Sequence, residues 1–294
     1  MHNKIRTLAG TIILMVTIIS CQKDVSTNTG NNGTTPVAKT ILNVSYGTDA
    51  LQDMDVYLPA GRTTSATKVM ILIHGGGWNS GDKADFAAYF DTMKRRLPDY
   101  ALFNINYRLS APPNNFFPTQ ELDVKAAVEF IFSKSADYLL SDKYVLIGAS
   151  AGGHLAMLQG YKYSAPVRAK AIVSFYGPSD LTLMYNNPVG GNALISTLMA
   201  QAIGKTPTQD PQLYINSSPA TFITAASPAT ILLHGGLDPL VSPNQSVLVR
   251  DKLQAAGVAN QYVFNPSASH DVWTDALMFD AFNKIQAFLT ANVL

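Results

Sequence analysis

The sequence predicts an α/β fold with a mostly parallel central sheet and helices on both of its faces. Three observations predict it. Continuous apolar, β-branched runs recur along the chain, stretches with helical apolar spacing separate them, and the first two strand-like segments alternate like a hairpin. Continuous runs are what strands buried on both faces require, and alternating β and α units pack as a parallel sheet between helical layers.

In chain order, residues 41–46 and 53–58 alternate apolar with polar and are expected to pair as antiparallel strands at one edge. The runs 69–74 (VMILIH), 101–107, 144–147, 171–175, 230–234 and 262–264 are expected to be the buried strands. A helix is expected over 121–133, where Leu122, Val124, Ala126, Ala127, Phe130 and Ile131 form an apolar face. Further helices are expected over 151–160, 244–256 and 273–291. Residues 179–227 break this rhythm, because Pro, Gly and Asn recur there between weakly helical segments such as Ala193–Ile203. The stretch is too long for an ordinary connection and is expected to form a small cap insertion.

A chain of 294 residues suits one α/β unit. With 21 basic and 20 acidic side chains the formal charge is +1, which leaves no electrostatic footprint for a nucleic-acid partner. Hydrophobic residues make up 47% of the chain, enough for a large core. Only 14% of residues are charged, so the surface relies on Asn, Gln, Ser and Thr.

The single cysteine, Cys21, excludes an intramolecular disulfide and a cysteine-based metal site. Lys4 and Arg6 precede an apolar stretch over 8–19, too short for a bilayer span of about 20 residues and fitted to a signal peptide over 1–20. Ile18-Ile19-Ser20-Cys21 resembles the lipobox of bacterial lipoproteins. That resemblance implies cleavage before Cys21, acylation of its thiol and attachment to a membrane of the cell envelope. Residues 21–39 are polar and rich in Asn, Thr and Gly, and read as a flexible tether to one folded domain over 40–294.

The sharpest chemical signal is Gly148-Ala149-Ser150-Ala151-Gly152, placed between an apolar strand and a helical run. A serine at the tip of a tight strand-to-helix turn needs small residues on either side so that strand and helix can approach, and it then stands exposed as a nucleophile. A hydroxyl needs a base. Of five histidines, His2 falls in the signal peptide, His74 and His234 end strands, and His154 lies on the helix that Ser150 opens. His270 remains, in a loop between the last strand and the last helix, at the carboxyl edge where such sheets hold their sites.

Asp238, just after the strand 230–234, is the expected partner that fixes the tautomer of His270. Asp271 competes but is adjacent to His270 and reads as a loop carboxylate, and Asp275 reads as a first-turn helix residue. His74-Gly75-Gly76-Gly77-Trp78 follows the strand 69–74, and glycines there leave amides bare. Gly75, Gly76 and Ala151 are the expected oxyanion donors. Trp78 is expected either to bind substrate or to form a structural wall, and His154 to pack or hydrogen-bond against the sheet. No metal is expected, since His74 and His234 show no carboxylate at ligand spacing.

These motifs, with Gly81-Asp82-Lys83, Asn106-Tyr107-Arg108-Leu109 and the run from Ser150 to Ala156, resemble the esterase and lipase branch of the α/β-hydrolase superfamily. Within it the chain most resembles the bifunctional feruloyl and acetyl xylan esterase-like group. Kynurenine formamidases and hormone-sensitive-lipase-like esterases share much of the pattern. The resemblance runs from Ile41 to the C-terminus and implies an α/β-hydrolase fold. It also implies a carboxylic ester substrate, small or polysaccharide, an acyl-enzyme intermediate and no cofactor. An exported peptidase, amidase or formamidase-like enzyme of the same fold is the alternative, and a non-catalytic surface binding protein a further one.

Overall fold

The computed structural model of the chain describes residues Thr35–Leu294; the expected signal peptide, Cys21 and most of the expected tether lie outside the described residues. Eight strands form one sheet: β1 (Lys39–Ser45), β2 (Asp53–Leu58), β3 (Lys68–Ile73), β4 (Tyr100–Ile105), β5 (Tyr144–Ala149), β6 (Ala169–Phe175), β7 (Ala229–Gly235) and β8 (Asn260–Asn265). Their order is β1-β2-β4-β3-β5-β6-β7-β8. The β1–β2 and β2–β4 pairs are antiparallel and the other five pairs are parallel, so the expected α/β sheet with an antiparallel edge is what forms.

Among the described residues nine helices accompany the sheet: α1 (Ala87–Arg96), α2 (Thr119–Ser133), α3 (Ser135–Tyr138), α4 (Ala151–Lys162), α5 (Leu181–Asn186), α6 (Ala193–Ile203), α7 (Pro211–Asn216), α8 (Asn244–Ala255) and α9 (Asp275–Asn292). Alternation along β3 shows how the layers divide. Val69, Ile71 and Ile73 join a core shared with α2, α4, α6 and α8, whereas Met70 and Leu72 join one shared with α1 and α9. All five are fully buried, and each such aliphatic side chain contributes about 1.5–3 kcal/mol of transfer free energy. The parallel β3–β4 pair requires a crossover, which α1 supplies; the sequence reading had no helix there. Its signals are present: Asp82 and Asp85 form a capping box on the 3₁₀ turn Lys83–Phe86 that leads into it, and Phe86, Phe90, Met93 and Leu97 follow at helical spacing.

Residues 179–227, expected as a cap, hold α5, α6, α7 and short 3₁₀ turns between β6 and β7. Polar residues set the helix starts, with the side chains of Asp180, Asn192 and Asp210 each accepting a backbone N–H of the first turn. The α6 helix stops at Gly204, whose φ of +84° is the left-handed conformation that glycine adopts without strain. Among the described residues no helix is long and apolar enough to cross a membrane.

Candidate active site

Four loops at the carboxyl edge of the parallel strands converge, those following β3, β5, β7 and β8. Between β5 and α4, Ser150 has φ +53° and ψ −122°, a strained backbone for a residue with a side chain. Its N–H donates to Phe175 O at 2.9 Å, tying the turn to the end of β6. The crowding explains the flanking glycine: a Cβ on Gly152 would stand 2.1 Å from Ile73 O.

Ser150, His270 and Asp238 form one hydrogen-bonded chain. Asp238 Oδ1 accepts the N–H groups of Leu240 (2.9 Å) and Val241 (2.8 Å), and its Oδ2 accepts from His270 Nδ1 at 2.7 Å. A carboxylate only accepts, so Nδ1 carries the proton and His270 Nε2 is left to accept from Ser150 Oγ, 2.9 Å away. Burial works to raise the pKa of Asp238, but donors from His234, His270 and Val241 outweigh it and hold the carboxyl well below the usual carboxylate range. The loops carrying Asp238 and His270 touch backbone to backbone. Leu237 N–H donates to Ala268 O at 2.9 Å, and a Cβ on Gly235 would stand 2.3 Å from that same oxygen.

Gly75 lies against the serine, with an added Cβ 3.4 Å from Ser150 Cβ. Among the described residues no acceptor engages the backbone N–H of Gly75, Gly76 or Ala151, so these amides are free to meet an anionic oxygen. Asp271 does not hydrogen-bond to His270; it is exposed at the cleft rim. Asp275 is the first residue of α9, which Thr274 caps.

Two further expectations are corrected. His154 bonds to neither strand nor sheet edge: its Nδ1 accepts from Trp78 Nε1 at 3.1 Å and its Nε2 donates to Ser217 O at 2.7 Å. One helical turn beyond Ser150 puts this ring within reach of Trp78 on the glycine loop and of Ser217 in the insertion, so its hydrogen bonds go there and not to the sheet. Burial pushes its pKa down to about 4, which keeps Nδ1 free to accept from the indole near neutral pH. His234, expected to lack a carboxylate neighbour, has Nε2 only 3.3 Å from Asp238 Oδ2, because the turn after β7 folds Asp238 back over the strand end. Among the described residues no group of three or more His, Cys, Asp or Glu is placed to hold a metal ion.

Two unequal hollows meet at Ser150. The larger, about 600 Å³, is walled by Gly75–Gly77, Asn79, Ser80, Asp85, Tyr89, Tyr176, His270 and Asp271. The smaller, about 130 Å³, is apolar and walled by Trp78, Pro178, Met184, Ile195, Leu198 and Met199, with Ala151 at its base. The insertion thus supplies Met184, Ile195, Leu198 and Met199 to the apolar wall, and Trp78 belongs to it while held by His154. Sequence reading did not single out Tyr89, Tyr176 or Met184. Tyr176 alone left a signal, since it directly follows a buried strand at the carboxyl edge, where its ring packs 4.5 Å from that of His270.

Residues 54–253 match the model of the family described as BD-FAE. The probable carboxylic ester hydrolase LipM of Mycobacterium tuberculosis is 30% identical over 65% of this chain and 46% of its own length. Esterase LipC of the same organism is 25% identical over 77% of this chain and 58% of its own. The chain therefore spans about half the length of these curated relatives. Among solved structures, a bifunctional GH43-CE of Bacteroides eggerthii superposes with TM-score 0.74 at 26% identity, covering 87% of this chain and 38% of that one. A truncated carbohydrate esterase from gut microbiota gives TM-score 0.72 at 24% identity, covering 87% and 96%, a likeness of fold alone.

Proposed function

The chain belongs to the BD-FAE family of α/β-hydrolase esterases, and from that premise we propose that it is a serine carboxylesterase cleaving short acyl groups from a bulky polar alcohol, such as acetyl groups on a polysaccharide. Ser150 Oγ attacks the ester carbonyl carbon while its proton passes to His270 Nε2. The carbonyl oxygen becomes an oxyanion held by the amides of Gly75, Gly76 and Ala151, each worth about 3 kcal/mol in the transition state. Collapse breaks the ester C–O bond, and the alcohol leaves with the proton from His270. Water, deprotonated by His270, then attacks the acyl-enzyme, releasing the acid and restoring Ser150. Asp238 orients His270 throughout and balances the imidazolium charge.

The observation that carries the substrate reading is the inequality of the two hollows. The general acid must reach the departing oxygen, so the alcohol lies on the side that His270 lines, the larger and more polar one. The acyl group is left with the apolar pocket of about 130 Å³, the scale of a cavity that takes one benzene-sized molecule. Two to four acyl carbons suit it.

A panel of p-nitrophenyl acetate, butyrate and octanoate, acetylated xylan and aminoacyl-p-nitroanilides tests this. Acetate and butyrate are expected to exceed octanoate in kcat/KM by at least about tenfold. Faster turnover of octanoate would overturn the short-acyl reading, and faster turnover of the anilides the esterase reading itself.

The same proposal places the enzyme on a lipid at Cys21, supported by the apolar stretch 8–19 and the residues before the cysteine. In cells, Cys21→Ser is expected to move esterase activity from the membrane fraction to the soluble one. Unchanged partition would remove the anchor from the proposal.

A further inference from the structure

Beside the apolar pocket lies a second cavity of about 120 Å³, between α5 and the start of α8, walled by Leu183, Met184, Asn187, Val189, Ser242 and Asn244 among others. Met184 is the one residue common to both walls. It is 8% exposed, in the middle of a six-residue helix.

The frame around it does not depend on its side chain. Asp180 caps α5 by accepting Leu183 N–H at 2.8 Å, and Gln245 Oε1 accepts the N–H groups of Ser179 (2.8 Å) and Asp180 (2.7 Å), fastening α8 to the start of the insertion. The residue shared by the two walls is thus an unbranched thioether with three rotatable bonds, on a helix fastened at its start by these hydrogen bonds.

Resting on the esterase reading above, we propose that the second cavity is an extension of the acyl subsite and that Met184 is the wall that closes it, setting the length of acyl chain the enzyme accepts. The far wall presents Asn187, Ser242 and Asn244 together with Leu183 and Val189. The subsite thus takes the distal part of a medium-length acyl chain, one too long for the first pocket alone. Met184 thereby limits the enzyme to short acyl groups through shape, with no change at the reacting atoms.

The test compares p-nitrophenyl octanoate with p-nitrophenyl acetate in the wild-type chain, in Met184→Ala and in the double variant Met184→Ala/Val189→Trp. Met184→Ala is expected to raise the octanoate-to-acetate ratio of kcat/KM at least about tenfold, the distal methylenes having gained room beside Leu183 and Val189. Refilling the second cavity with the indole in the double variant is expected to return the ratio to the wild-type value. An unchanged ratio in a cooperatively melting Met184→Ala protein, or a raised ratio that survives the tryptophan, would overturn the inference. If Met184→Ala does not melt cooperatively, the crystal structure of wild-type protein carrying an n-octylphosphonyl group on Ser150 decides. With Met184 in place, a chain stopped at Met184 and turned out through the polar hollow supports the inference, and one that passes Met184 into the second cavity overturns it. Absence of turnover of both esters by the wild type would be a failure of the esterase reading, distinct from these outcomes.

Discussion

Ser150→Ala is expected to lower kcat for p-nitrophenyl acetate by roughly 10⁴- to 10⁶-fold while leaving the protein folded. The size follows from the proposed division of labour. Without Oγ there is no acyl-enzyme, and what remains is the positioning and oxyanion binding that the bare amides of Gly75, Gly76 and Ala151 supply to a water attack. The fold should survive because alanine keeps the Cβ and therefore the same backbone strain at φ +53°. The only interaction deleted is the hydrogen bond to His270 Nε2, typically worth about 1 kcal/mol. Steady-state kinetics beside a thermal melt checks both halves. Retained turnover in a folded variant removes Ser150 from the mechanism.

Asp238→Asn is expected to lower kcat/KM by roughly 10⁴-fold, with the geometry of the loops intact. In the wild type, Asp238 Oδ2 only accepts, which forces the proton onto His270 Nδ1 and frees Nε2. An amide nitrogen in that place donates, reverses the tautomer and turns Nε2 into a donor that cannot take the proton of Ser150. The variant should also change the pH dependence of stability. Because the folded carboxyl lies below its unfolded value near 4, its stabilising contribution is complete above that value and is lost as pH falls through the folded value. The stability gap between wild type and variant, read by urea unfolding, is thus expected to be widest near neutral pH and to close in acid. A kcat/KM within tenfold of wild type would mean that Asp238 does not set the tautomer.

The legibility of this chain differs from part to part. Five buried strands were readable because a parallel strand between two helical layers must be apolar at almost every position, whereas the run 262–264, expected to be buried as well, lies in the edge strand β8, where only Val263 is buried. The α1 helix was not, because it carries Asp91, Lys94, Arg95 and Arg96 and Met93 is its one buried residue. The serine turn was readable because steric crowding there restricts residue type locally, as the close approach of Gly152 to Ile73 O shows. The roles of His154 and His234 were not, since each is defined by partners far off along the chain or across a turn: Trp78 and Ser217 for one, Asp238 and Val241 for the other. Nothing in the local spacing of a histidine states which side chain the fold will bring to it.

What the sequence determined alone was therefore the parallel sheet, the order of its strands along the chain, and which residues carry chemistry in each loop. Those properties depend on periodicity and on short-range sterics, and both are written in consecutive residues. What only the tertiary structure decided was the inequality of the two hollows beside Ser150, the fixing of Trp78 by His154 and the placing of Met184 between two cavities. Each of these is a matter of which surfaces an insertion of about 49 residues presses against the rest of the chain. Such long-range packing depends on the whole arrangement of the core, so no window of sequence contains it.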